Sequence, residues 1–407
     1  MNRPEIAVTG LGLVTPAGVG TEETWQRVCA GTPTASPDPD LDAAPVTFSC
    51  RVPAMDLDTA VGRKKAWRIG RFSKLALLAA REAVQNAGLD TGGWDGARVA
   101  VVLGVGFGGA PHWEDQLRRL HQRGPAHVSP TVIPMVIGNM AVGEVAQEFG
   151  ARGPTLACAT ACASGATALA IAHDLLVAGS CDIVLAGGAE AALSPLVATG
   201  FHRMGTLSAR GHDVPGASRP FAADRDGFVL AEGAAVLVLE RAADAKARGA
   251  RARAVLAGHG ASNDAHHPTA PPQGAAGAEQ ALRTALRSAG LDAGDIGHVN
   301  AHGTSTPLND AAEAGLIARA LPHQPSVTAP KGVLGHSLGA AGAIEAALTV
   351  LTIERGLVPP VANLTPDIAE FDIDCVTGTA RRQRIDAAVS HSFGFGGHNV
   401  VLALRRD

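Results

Sequence analysis

Short, uninterrupted apolar runs alternate with longer amphipathic stretches along the chain. The apolar runs include Ile6–Thr9, Val99–Leu103, Ile183–Ala186, Ala235–Leu239, Ala254–Ala257, Ile296–Asn300 and Val400–Leu404, and most stop at or near a glycine. Such runs, with no polar alternation, predict strands covered on both faces. The amphipathic stretches predict helices over Ser73–Asn86, Ser164–Val177, Ala276–Ala289, Asn309–Ala320 and Ala340–Glu354. Strands and helices in alternation predict an α/β protein with buried sheets. Residues 30–60, rich in Pro and Asp, predict irregular surface.

Two helices echo one another. Ser164-Gly165-Ala166 opens an apolar helix that ends at Gly179, and Ala341-Gly342-Ala343 opens another that ends at Gly356. Each follows a candidate reactive residue, Cys162 in one case and His336 in the other. The echo predicts a duplicated βαβαβ unit, divided into residues 1–250 and 251–407, with its active site where the two helix N-termini converge.

Composition narrows the function classes. The 407 residues are 46% apolar and only 18% charged, which supports a large core and argues against disorder. The 49 glycines and 25 prolines are scattered, so no segment reads as a low-complexity linker. A net charge of -4 gives no indication of nucleic-acid binding. Six cysteines, at 29, 50, 158, 162, 181 and 375, form no CxxC pair or disulfide framework, which predicts reduced thiols and no metal site. The start, through Met1, Arg3 and Glu5, lacks a signal-peptide pattern, and no run approaches about 18 apolar residues. The expectation is a soluble cytoplasmic protein that engages no membrane.

Cys162 lies among small residues just before a predicted helix. Unpaired N–H groups and a positive dipole at a helix N-terminus favour a thiolate and stabilise an adjacent oxyanion. A small buried core Cys has the same local sequence, and Cys158, in a more strand-like context, is assigned to the core. His302 directly follows an apolar strand, where α/β proteins bind ligands. His336 sits in a Gly-rich turn with Lys331 upstream and Glu345 downstream. That turn lacks the GxxxxGK[ST] order of a phosphate loop. Near the C-terminus, Phe393 and Phe395 stand between glycines that let backbone N–H groups point at a ligand.

These pieces occur together and in order: TACASG at 160–165, AGGAE at 186–190, SRPFAADRDGFVLAEGAAVLVLE at 218–240, NAHGTSTPLND at 300–310, PKGVLGHSLGAAGAIEA at 330–346 and SFGFGGHN at 392–399. Over essentially its whole length the chain resembles the β-ketoacyl-acyl carrier protein synthases, especially the elongating type of dissociated fatty acid and polyketide systems. The resemblance implies a thiolase-like, five-layered αβαβα fold, internally duplicated and usually dimeric. It implies that Cys162 takes the acyl group and that His302 and His336 stabilise the enolate formed when a malonyl unit loses carbon dioxide. Lys331, with Glu345 as its partner, would tune the His pair. Thr304 and Thr306 would hydrogen-bond the pantetheine amides and Phe393 would contact the substrate, while Phe395 would gate acylation and share an oxyanion hole with Cys162. No bound cofactor is implied, because the acyl carrier protein supplies the phosphopantetheine.

The resemblance also implies a basic dock for an acidic carrier, for which Arg63, Lys64, Lys65, Arg68, Arg71, Lys74 and Arg203 are the candidates. Phe107 stands where elongating members usually carry a smaller side chain beside the acyl pocket, and it predicts a preference for short acyl chains. The resemblance leaves fatty acid and polyketide pathways open, and with them a homodimer or a heterodimer with a chain-length subunit. A thiolase would need a second Cys near the C-terminal turn. Chalcone-synthase-like enzymes and initiating synthases would carry Asn at position 336. A non-catalytic chain-length subunit would lack the nucleophile.

Overall fold

The computed structural model describes residues 4–407, so Met1 and Arg3 of the N-terminal reading lie outside the described residues. Ten strands form the framework. They are β1 (Ile6–Thr15), β2 (Val99–Gly104), β3 (Thr155–Cys158), β4 (Ile183–Glu190) and β5 (Gly233–Arg241), then β6 (Ala254–Asn263), β7 (His298–Asn300), β8 (Ser326–Thr328), β9 (Ala387–Gly394) and β10 (His398–Arg405). The first five run in the order β3-β2-β4-β5-β1 and the second five in the order β8-β7-β9-β10-β6. Orientation repeats as well. β2 is parallel to both its neighbours, β7 is parallel to both of its own, and the other two pairings in each half are antiparallel. The two halves join where Ile6–Val8 of β1 pairs with Ala254–Leu256 of β6.

Six long helices cover the sheet: α1 (Arg71–Asn86), α2 (Asn139–Phe149), α3 (Ser164–Val177), α4 (Ala276–Ala289), α5 (Pro307–Ala320) and α6 (Ala341–Arg355). Three clusters of buried side chains define the layers. One packs α1 and α2 on the outer face of the first half, one packs α4 and α5 on the outer face of the second, and the largest surrounds α3 and α6 between the halves. This is the five-layered, thiolase-like α/β arrangement. The expected strands and helices fall on observed elements, with shifted ends. Ile296, for instance, lies before β7 in the turn that follows a short helical segment. Residues 30–60 are mostly irregular but include a short antiparallel pair, Ser36–Pro37 with Phe48–Ser49. Among the described residues no helix is long and apolar enough to cross a membrane.

The echoing glycines mark the closest approach of α3 and α6. A Cβ on Gly165 would lie 2.6 Å from the Ala343 backbone nitrogen, and one on Gly342 would lie 2.8 Å from that of Ala166. The contact is reciprocal and leaves no room for any side chain. Gly315, in α5, has no atom within 4 Å of its would-be Cβ. Gly165→Val should therefore destabilise the protein by about 1–3 kcal/mol in denaturant unfolding, whereas Gly315→Ala should stabilise it by about 0.5–1 kcal/mol. Equal effects of the two substitutions would contradict this packing.

Candidate active site

The Cys162 turn is held in a conformation that an L-residue rarely adopts. Ala161 has φ 49°, and Ser164 fixes the turn by accepting from the Thr160 N–H at 2.9 Å and donating to the Ala161 carbonyl at 2.6 Å. Cys162 thus sits just ahead of α3, buried, with its sulfur near its own N–H and that of Phe395. Gly394 makes this possible, because a Cβ there would lie 2.6 Å from the Thr160 carbonyl and 3.1 Å from the Cys162 nitrogen. The two N–H groups converge as an oxyanion hole requires.

The second half brings the histidines to the same place. His302 follows β7, where the Glu313 carboxylate of α5 accepts from the N–H groups of His302 and Gly303, each at 2.8 Å. His336 is clamped by the 229–231 segment. Its N–H donates to the Val229 carbonyl at 2.7 Å, and its carbonyl accepts from the Ala231 N–H at 3.0 Å. The Cys162 sulfur and a ring nitrogen of each histidine all lie within 4.8 Å of one another. The two rings meet edge to face, 5.5 Å apart.

Lys331 orders this pair from below. Its ammonium donates to the His302 carbonyl at 2.6 Å, lies 3.3 Å from His302 Nδ1 and forms a buried ion pair with Glu345. Because Nδ1 faces an ammonium donor, the His302 proton resides on Nε2, toward the cavity. His336 Nδ1 is buried without a partner, so its Nε2 is the nitrogen that meets the cavity. Burial and the Lys331 charge hold both imidazoles well below the usual His range, so both are neutral at pH 7. Burial pushes Glu345 up to about 7, against the pull of Lys331.

Burial also governs the nucleophile. It pushes the Cys162 thiol up to about 11, outweighing Lys331 and the two N–H groups. On that balance the resting group is a thiol rather than the thiolate expected from the helix terminus. Cys158, half-buried on edge strand β3, donates weakly to the Leu103 and Ser164 carbonyls and is likewise pushed up to about 12.

These groups open onto a cavity of about 280 Å³. Cys162, His302, His336, Thr304, Thr306, Phe393 and Phe395 all line it, with Pro271, Pro272 and Leu308 adding apolar surface. The two threonine hydroxyls are 2.8 Å apart. The turn carrying Phe395 is tethered rather than free. Gly396 donates to the Pro268 carbonyl at 2.7 Å and accepts from Asn263 Nδ2 at 2.7 Å, and the Gly397 carbonyl accepts from the Asp264 N–H at 2.9 Å.

Two expectations take a more detailed form in the structure. Phe107 does not line this cavity. It is 46% exposed, and its ring meets the edge of Phe201, which does line it, with centroids 5.9 Å apart. Nor is the basic cluster a free patch. Lys65 pairs with Glu148, Arg68 with Glu144 at 2.9 Å, Arg71 with buried Glu232 at 2.6 Å, Lys74 with Asp58 at 2.5 Å and Arg63 with Asp56 at 3.3 Å. Lys64 and Arg203 have no carboxylate partner among the described residues, and Arg203 adjoins Met204 and Gly205 at the cavity wall. Glu313 and Glu190 went unassigned in the sequence. Glu190 accepts from the N–H groups of Gly106, Phe107 and Gly339 and ties the two halves together beside the site. Its signal was its place at the end of AGGAE, the one charge after a bare apolar strand.

The β-ketoacyl synthase N-terminal domain description matches residues 3–245, and the β-ketoacyl synthase C-terminal domain description matches residues 253–365. The chain belongs to the β-ketoacyl synthase family. It is 40% identical to a 3-oxoacyl-[acyl-carrier-protein] synthase 2 of Synechocystis sp., over 100% of this chain and 99% of that protein. Among solved structures, it superposes on the ishigamide ketosynthase/chain length factor with TM-score 0.92 and 31% identity, covering all of both chains. It also superposes on a type II ketosynthase solved with its acyl-carrier protein and bound to a hexaketide, with TM-score 0.90 and 30% identity over all of both chains.

A thiol at about 11 makes a direct prediction for this ketosynthase. Alkylation of Cys162 by iodoacetamide, followed by peptide mass spectrometry, should accelerate about tenfold per pH unit from pH 7 to 10. A plateau above pH 8.5 would show that the charge of Lys331 and the two N–H groups outweigh burial.

Proposed function

We propose that the chain catalyses decarboxylative Claisen condensation of malonyl-acyl carrier protein with an acyl group held on Cys162. The observation that carries this reading is the convergence of one thiol, two neutral imidazoles and a pair of backbone N–H groups on one cavity. In the first half-reaction the Cys162 sulfur bonds to the acyl carbon and the bond to the pantetheine sulfur breaks. The thiol proton leaves with that sulfur. The Cys162 and Phe395 N–H groups hold the transient oxyanion, at about 2.7–4 kcal/mol per donor.

In the second, His302 and His336 donate to the malonyl thioester carbonyl, and the carboxylate departs as carbon dioxide. The resulting enolate attacks the acyl-Cys162 carbonyl carbon and expels the sulfur, which regains a proton. The product is a β-ketoacyl thioester on the carrier. Neutral imidazoles suit this chemistry, since they donate to the enolate oxygen without neutralising the departing carboxylate. Thr304 and Thr306 offer hydroxyls to the pantetheine amides, and Phe393 and Phe395 flank the acyl group. The phosphopantetheine arrives on the carrier, and no other cofactor enters.

The carrier is best received near Arg203 and Lys64, whose charges are not spent on partners within the chain. A second chain completes the protein. β3 is an exposed edge strand with Leu156 43% exposed, and Trp113, Leu117, Ile133 and Phe107 are also exposed. A homodimer is the primary reading, with a chain-length subunit as the other occupant. Exposed Phe107 would then narrow the acyl pocket through Phe201, favouring short chains. The reaction is assigned to the cytoplasm, in fatty acid or type II polyketide elongation.

Incubation with carrier protein loaded with acetyl, butyryl, hexanoyl or decanoyl groups tests the reading by intact-protein mass. Wild type should gain one acyl group, fading toward decanoyl, and Cys162→Ala should gain none. Adducts of every length would retain the enzyme and remove the Phe107 limit. A folded protein with no adduct at any length would favour the non-catalytic partner subunit.

A further inference from the structure

A second cluster of ligating side chains lies outside the reaction cavity, where the central helix layer meets solvent. We propose that His173, Asp174 and His259 bind a divalent transition-metal ion, with zinc the best fit. His173 and Asp174 belong to α3, the helix behind Cys162, and His259 belongs to β6 of the other half, opposite Leu402 of β10. Asp174 Oδ1 lies 3.3 Å from His173 Nδ1 and 2.9 Å from His259 Nε2, and one ligating atom from each residue lies within 4.8 Å of the others. In a tetrahedral site with zinc bonds of about 2.0–2.1 Å, neighbouring ligand atoms stand about 3.3 Å apart. The His173–Asp174 spacing matches that value, the His259–Asp174 spacing is that of a hydrogen bond which the ion would replace, and the two histidine nitrogens lie within 4.8 Å of each other.

The chemistry of the donors narrows the ion. Two imidazoles with one carboxylate suit zinc, copper, nickel or cobalt, whereas magnesium and calcium prefer all-oxygen sets. The Asp174 side chain is 65% exposed and the His259 side chain 19%, so the ion has an entry path and water can fill the remaining position. None of the three residues lines the reaction cavity. Because they come from both halves, an ion here would clamp α3 to the second half of the sheet and stabilise the folded state by linkage.

The catalytic cluster of Cys162, His302 and His336 has a similar spread of ligating atoms and would compete for soft metals. The test therefore uses the full chain carrying Cys162→Ala. Cobalt is titrated by visible absorption and back-titrated with zinc, and the melting temperature is followed with zinc or magnesium. The same measurements are made after adding His259→Ala or, separately, Asp174→Asn, with near-ultraviolet circular dichroism reporting the fold. The expected result is one cobalt per chain with d–d absorption, displaced by zinc, and a melting temperature raised by zinc but not by magnesium. Each added substitution should weaken binding at least tenfold and abolish the thermal shift. Unchanged affinity in a folded Asp174→Asn or His259→Ala chain overturns the proposal, as does binding seen only at millimolar metal.

Discussion

The structure depends on the backbone contact between α3 and α6. Gly165 and Gly342 allow these helices to meet at their N-terminal ends with no side chain between them. Each helix is preceded by a turn in which one residue takes a left-handed conformation, Ala161 at φ 49° and Leu338 at φ 47°. Those turns present Cys162 and His336 to a common space. A valine at either glycine would separate the two turns by the width of a side chain. The duplicated sheet serves the same end, since equivalent strands in the two halves deliver equivalent loops to one place.

Burial then determines the electrostatics. The same desolvation that raises Cys162 and Glu345 lowers His302 and His336, so at neutral pH the site holds a thiol and two uncharged imidazoles beside the Lys331–Glu345 pair. The site is therefore poised to donate hydrogen bonds rather than protons. Charge that develops on a substrate oxygen meets fixed N–H dipoles among buried groups, where such interactions are strongest. Linkage carries the sign of this arrangement. The two histidines resist protonation when folded and accept it when unfolded, so their contribution to stability falls as pH drops below the ordinary His value of about 6.5.

Much of this was legible in the sequence, because buried strands in a layered protein are bare apolar runs and the reactive residues sit at their ends. The helices α3, α4 and α6 announced themselves by apolar periodicity between glycines. β9 did not, since Ser390, His391 and Ser392 are polar residues buried inside it, and their sequence resembles a turn. Helix Ala110–Arg123 was hidden for the opposite reason, since its composition is dominated by polar residues and its exposed Trp113 and Leu117 face away from the core. For the basic cluster the sequence shows charges but not partners: Glu144, Glu148 and Glu232 are distant in the chain and adjacent in space. Nor could sequence show that Phe107 reaches the cavity only through its contact with Phe201.

The central claim is a division of labour, with Cys162 and its N–H groups taking the acyl group and the His pair serving decarboxylation. The most direct measurement follows both events in one His336→Ala preparation, reading the acyl adduct by intact mass and carbon dioxide release from malonyl-carrier protein. Acylation within a few-fold of wild type, with carbon dioxide release reduced about 10²–10³-fold, is the result this account predicts. Loss of both together, or carbon dioxide release at the wild-type rate, would contradict it.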